Sequence, residues 1–132
     1  MAGGLEEIEI LERELMRGLA ILKEEYISLV REEQALLNKI NEALKRASPI
    51  KGSLVYKWVK NKVGNRYWYW YLHVKDGNRT RSIYLGKQIP PEYIQGIETR
   101  RVVRNLESRL RTVVKRKLEL EKKLREAIQA LY

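Results

Sequence analysis

The chain has no cysteine, no phenylalanine, one aspartate (Asp76), one histidine (His73) and no long apolar run among its 132 residues. The missing cysteines exclude disulfides and thiolate metal sites. A metal nuclease or polymerase centre needs clustered carboxylates, and a nucleophilic centre needs a base beside its nucleophile. The lone Asp76 sits in a turn signal, and nearly all the glutamates fall on heptad-patterned helices, so neither centre can be assembled. Gly64, Gly77 and Gly86 are isolated turn or strand-end residues, not a phosphate-cradling loop. An arginine-assisted tyrosine nucleophile is chemically conceivable, but nothing singles out one tyrosine. The expectation is a non-enzyme with no cofactor, no metal and no small-molecule substrate. No segment approaches the ~20 apolar residues that span a bilayer, and the acidic start is unlike a signal peptide. No membrane partner is expected, and the expected location is cytoplasmic, nucleoid-associated. The wealth of Glu, Lys and Arg without cysteine is also a habit of thermophilic proteins.

What is present is positive charge, unevenly placed. Lysine plus arginine number 27 against 17 acids, a net charge of +10 with a pI near 9.9. Residues 1–47 carry a net −3, residues 48–90 a net +8 from nine cations and one acid, and residues 91–132 a net +5. A basic middle without compensating acids suits a polyanionic partner.

Both ends read as helices. Ile8, Leu15, Leu22, Leu29, Leu36 and Ala43 recur every seven residues, with Leu5, Glu12, Leu19, Tyr26, Glu33, Ile40 and Ala47 in the second seam position. That is a coiled-coil seam of about six heptads, ended by Ser48-Pro49. Residues 1–4 read as a frayed end. Met16, Val30, Leu37 and Leu44 widen the apolar stripe beyond what one partner helix covers. After Pro90-Pro91 and Glu92, which suit a helix start, Val103, Leu110, Lys117, Leu124 and Leu131 repeat with Leu106, Val113, Leu120 and Ala127 beside them. Two helices of similar length around a compact insert suggest an antiparallel hairpin. Parallel pairing between chains and a four-helix bundle of two hairpins stay open, and the broad stripes favour a homodimer.

The middle reads as three strands. Arg66 to Lys75 holds five consecutive aromatics, and in a strand alternate side chains part to opposite faces. Trp68, Trp70, Leu72 and Val74 fall on one face, and Tyr67, Tyr69, Tyr71, His73 and Lys75 on the other. A two-residue turn at Gly64-Asn65 places Lys60 across from Tyr69 and Val59 across from Trp70. That register puts Val55, Val59, Ile83 and Leu85 with the tryptophans as a dry face. It sorts Tyr56, Trp58, Lys60, Lys62, Thr80, Ser82 and Tyr84 with the tyrosines as a wet one. Lys57, Arg79 and Arg81 project from the dry face near the sheet's outer end. Asp76-Gly77 or Gly77-Asn78 makes the second turn, with the same faces either way.

The expected architecture is thus α+β, a long antiparallel two-helix coiled coil (1–49 and 90–132) with a three-stranded antiparallel sheet (50–89) inserted at its tip. The candidate nucleic-acid surface comprises Tyr56, Lys57, Trp58, Lys60, Lys62, Arg66, Tyr67, Tyr69, Tyr71, His73, Lys75, Arg79, Arg81, Tyr84 and Lys87. Arg100, Arg101 and Arg104 at the start of the second helix join it. Arg116, Lys122, Lys123 and Arg125, farther along, read instead as partners of the acidic first helix. A sheet can enter the major groove, its rim cations meeting phosphates and its rings meeting bases or sugars. Duplex DNA is the expected ligand, in a regulatory or chromatin-architecture role. Single-stranded DNA or RNA, bound by stacking, and an acidic protein docked on a coiled-coil scaffold are the alternatives.

Tyr67 to Leu72, Asp76-Gly77-Asn78 and Arg79 to Lys87, ending in Tyr-Leu-Gly-Lys, resemble a sheet of uncharacterised archaeal and mobile-element proteins. The resemblance covers about 35 of the 132 residues. It implies a DNA-associated protein of archaeal, plasmid or viral origin and identifies no catalytic residue.

Overall fold

A computed structural model describes residues 2–131. The elements follow the order α1 (Ala2–Arg46), β1 (Ser53–Lys60), β2 (Arg66–Asp76), β3 (Arg79–Gly86) and α2 (Pro91–Leu131). The fold is α+β: a three-stranded antiparallel sheet of order β1-β2-β3, inserted between two helices of 45 and 41 residues. The helix α1 takes in Gly3 and Gly4 where the sequence suggests fraying, because a nucleated helix gains a hydrogen bond with each added residue. Lys45 and Arg46 sit at its negative end and Glu92 at the positive end of α2, each with favourable sign. Among the described residues no helix is long and apolar enough to cross a membrane.

The chain forms two compact units, one holding the chain up to Lys39 with that from Leu106 onward, the other Ile40–Asn105. In the first, the buried side chains Leu36, Leu106, Val113 and Leu120 are all seam residues, and Leu19, Leu22, Tyr26, Leu29, Leu110, Leu124 and Ala127 are half-buried beside them. The side chain of Leu131 lies outside the described residues. The helices are antiparallel here: Glu33 meets Lys117, while Leu15, Leu19 and Leu22 share a hollow with Ala127 near the end of α2. The turns carrying Leu5 and Ile8 lie past that point, and these two seam residues stay exposed. Met16, Val30 and Leu37 are exposed as well.

In the second unit Leu72 is the centre, only 2% exposed, with Leu54, Trp70, Val74 and Ile83 half-buried around it on the same sheet face. The connection from α1 to β1 is pinned to α2 by the Ile50 amide, which donates to the Gly96 carbonyl at 2.9 Å. A Cβ on Gly96 would stand 2.4 Å from Ile50 Cδ1, so any other residue there would displace the Ile50 side chain. Gly52, at φ +141, lets the chain pass the His73 carbonyl, which a Cβ would approach to 2.8 Å.

The first hairpin departs from the expected register. Lys60 pairs with Arg66, Trp58 with Trp68 and Lys57 with Tyr69. The turn is a three-residue loop, Lys62-Val63-Gly64, closed by Asn61 and Asn65 rather than made by Gly64-Asn65. The Asn61 amide donates to the Asn65 carbonyl at 2.9 Å and the Gly64 amide to the Asn61 carbonyl at 3.1 Å, with Gly64 at φ +89. This is a type I turn followed by a glycine bulge, the usual three-residue hairpin. The Asn61 side chain fixes it by accepting from the amides of Val63 at 3.0 Å and Asn65 at 2.9 Å. The register differs from the expected one by an odd number of residues, so every β1 side chain changes face. The second turn is Gly77-Asn78, with Asp76 opposite Arg79 and Gly77 at φ +65. The β2 and β3 faces sort as expected as far as Tyr84, beyond which a register shift sets Gly86 opposite Trp70 and leaves Leu85, expected on the dry face, without a cross-strand partner.

Candidate nucleic-acid interface

The strand pairing builds two aromatic faces. On the tryptophan face Tyr56 stacks against Trp68 (5.3 Å between centroids) and lies 4.8 Å from Trp70. Trp58 stands opposite Trp68, with the Arg66 guanidinium 4.5 Å and the Lys60 ammonium 5.9 Å from its ring. Tyr56, Trp58 and Lys60 therefore belong with the tryptophans and not with the tyrosines, because Asn61 moves the turn. The face is dry only around Leu72, since Trp58 and Trp68 remain 43% and 48% exposed. Arg79 and Arg81 occupy its outer end, exposed, as the sequence suggests.

On the opposite face the tyrosines form a ladder: Tyr67 to Tyr69 at 6.4 Å, Tyr69 to Tyr84 at 5.4 Å and Tyr84 to Tyr71 at 5.6 Å. Lys57 is here too, and not on the tryptophan face. Its ammonium lies 4.3 Å from the Tyr71 ring centroid and 3.4 Å from His73 Nε2, to which it donates. Tyr67 and Tyr84 are exposed, Tyr69, Tyr71 and His73 half-buried, and Val55 and Val59 replace the expected Tyr56 and Trp58 beside them. Lys62 sits in the hairpin loop and Lys87 just beyond β3, both exposed.

Below the tyrosine ladder, Lys51, Gly52, Ser53, His73, Lys75, Thr80 and Arg100 line an open hollow of about 300 Å³. Arg100 of α2 thus joins the sheet. Arg104 is exposed, whereas Arg101 is paired with Glu98 at 3.4 Å on an exposed helix surface. Lys51 and Ser53 were not legible as site residues, because the expected register, with Lys60 across from Tyr69, sets Tyr56 rather than Ser53 opposite His73. The Asn61 loop is the signal that could have found them, since its register sets Ser53 opposite His73.

The cations divide by region. Among the described residues, none of the nine lysines and arginines between Lys51 and Lys87 has a carboxylate oxygen within 4.0 Å. Among the described residues every ion pair is on the helices. Arg116 bridges Glu25 at 3.0 Å and Glu119 at 3.5 Å, and Lys117 meets Glu33 at 2.5 Å, so each partners the acidic first helix. The hydrogen bond to Glu33 raises the Lys117 pKa above its ordinary 10.5 despite some desolvation, and Glu25 raises that of Arg116. Arg125 instead pairs within its own helix, with Glu121 at 2.7 Å, and Lys122 and Lys123 form no ion pair among the described residues. Among those residues no three metal-ligating side chains of His, Cys, Asp or Glu come together.

Fold and site define a two-helix α+β protein that carries an exposed, basic, aromatic three-stranded sheet. The chain belongs to the family described as a domain of unknown function, DUF6788, which it matches over residues 6–95. That match takes in most of α1, the whole sheet and the first turn of α2. No curated protein and no solved structure matches the chain.

Proposed function

We propose that this chain is a non-enzymatic DNA-binding protein of regulatory or architectural role, holding duplex DNA on its sheet and dimerising through its helices. The observation that carries the reading is the set of nine sheet-region cations that, among the described residues, have no acid partner and stand among exposed rings. Protein interfaces are depleted in lysine, whereas phosphate backbones recruit it. Dimerisation is supported by apolar surface on α1: Met16 and Leu11 are 66% and 63% exposed, and Leu5, Ile8 and Leu15 lie uncovered along the same helix. A second copy would bury that stripe in a four-helix arrangement.

A second reading has its own support. Exposed Trp58 and Trp68 give the sheet a stacking surface on both sides, which suits single strands, where a ring–base stack contributes ~1–3 kcal/mol. Binding isotherms for duplex DNA, single-stranded DNA and RNA at matched salt, with the mass in solution measured alongside, separate the readings. Duplex preference in a dimer is expected. Preference for single strands would replace the duplex assignment, and no binding to any of the three would leave an acidic protein as the partner.

A further inference from the structure

The geometry points to a single-phosphate site in the hollow lined by Lys51, Gly52, Ser53, His73, Lys75, Thr80 and Arg100. Three cationic residues line it from three separate elements: Lys51 from the loop before β1, Lys75 from the end of β2 and Arg100 from the third turn of α2. No carboxylate lies within 4.0 Å of any of them among the described residues, so their charge is not satisfied internally. Ser53 and Thr80 add hydroxyl donors. His73 lines the hollow as well, with its Nε2 3.4 Å from the Lys57 ammonium. Cations and neutral donors around one concavity, with no acceptor of negative charge, match a tetrahedral oxyanion.

The ring ladder of Tyr67, Tyr69, Tyr84 and Tyr71 leads down the same sheet face toward His73. A strand lying along those rings would set one backbone phosphate in the hollow, fixing its register. The phosphate's source as a nucleic-acid backbone rests on the function proposed above; the site itself also suits free phosphate.

Two arms of one experiment distinguish the sources. In the first, inorganic phosphate is titrated into the full-length protein, and the backbone amide resonances of Gly52, Ser53 and Thr80 are followed by NMR. Saturable shifts confined to this group are expected, and they vanish in Lys51→Gln, a change in an exposed loop that leaves the fold intact. In the second, duplex affinity is measured against salt for the wild type, Lys51→Gln, Arg100→Gln and the double variant. Because both side chains hold one phosphate, each variant, the double included, should lower the slope of log affinity on log salt by about 0.9. A double variant that loses about twice that amount would overturn the single-phosphate site. So would wild-type slopes in all three variants with no phosphate-dependent shifts, and the DNA reading would stand. Shifts with phosphate but no binding of duplex would keep the site as one for free phosphate and sink the DNA reading instead.

Discussion

The two helices and the sheet treat charge in opposite ways. On the helices acids and bases pair: Lys117 with Glu33, Arg116 with Glu25 and Glu119, Arg125 with Glu121. In the sheet region nine cations face one acid, Asp76, and among the described residues none is in an ion pair. Arg66 lies over the Trp58 ring, and Lys57 over the Tyr71 ring while also reaching His73 Nε2 at 3.4 Å. A ring attracts a cation without neutralising it, so the sheet region keeps its net +8, while the helices set 18 cations against 16 acids. The lesson is that net charge says little by itself, and the location of the unpaired part says more.

The contrast can be broken at the cores first. Leu72→Ala in the sheet and Leu120→Ala in the helices, both nearly fully buried, should each cost about 2–5 kcal/mol. All three tryptophans lie in β1 and β2, so tryptophan fluorescence follows the sheet while far-UV circular dichroism follows the helices. Leu72→Ala should move the fluorescence midpoint more than the helical one, and coincident shifts for both variants would mean that the units unfold together.

A smaller effect concerns the rings. Tyr69→Ala with Tyr84→Ala should weaken nucleic-acid binding by ~1–3 kcal/mol for each ring that meets a base, with the helical signal unchanged. Unaltered affinity would reduce the ladder to cross-strand packing.

Smaller still is the pH dependence of the Lys117–Glu33 pair. Because the folded-state pKa of Lys117 is raised, its contribution is complete below the unfolded value of about 10.5 and fades as pH climbs through the higher folded value. The stability gap between wild type and Glu33→Gln should therefore be constant near neutrality and narrow above that pH. A gap that held constant there would contradict the pairing. Arg125→Gln, at an exposed pair within one helix, should change the melting midpoint hardly at all.

The helical seam was readable because burial on a long helix follows a fixed period: Leu36, Val103, Leu106, Val113 and Leu120 are all heptad positions and all buried. Even the polar seam residues Glu33 and Lys117 proved to face each other. The three strands were readable for the same reason, with period two, and the second turn was narrowed to Asp76-Gly77 or Gly77-Asn78, which give the same faces. The first hairpin was not, because Gly64-Asn65 has the composition of a two-residue turn, while Asn61 makes side-chain bonds to two amides that composition does not advertise. One turn of the wrong length exchanged Tyr56, Trp58 and Lys60 for Val55, Lys57 and Val59. The hollow at Arg100 was invisible for a related reason, since it joins segments that only the correct register and the Ile50–Gly96 contact bring near each other.

The central claim, that the unpaired cations of the sheet exist for a polyanion, is tested most directly by duplex affinity between 50 and 200 mM salt. With six to ten phosphates neutralised, affinity should fall by about 10³–10⁵-fold across that range. Replacing Arg79 and Arg81 by glutamine should flatten the slope, while replacing the helical Lys122 and Lys123 should not. An affinity that does not change with salt, or a slope set by the helical lysines, would contradict the account.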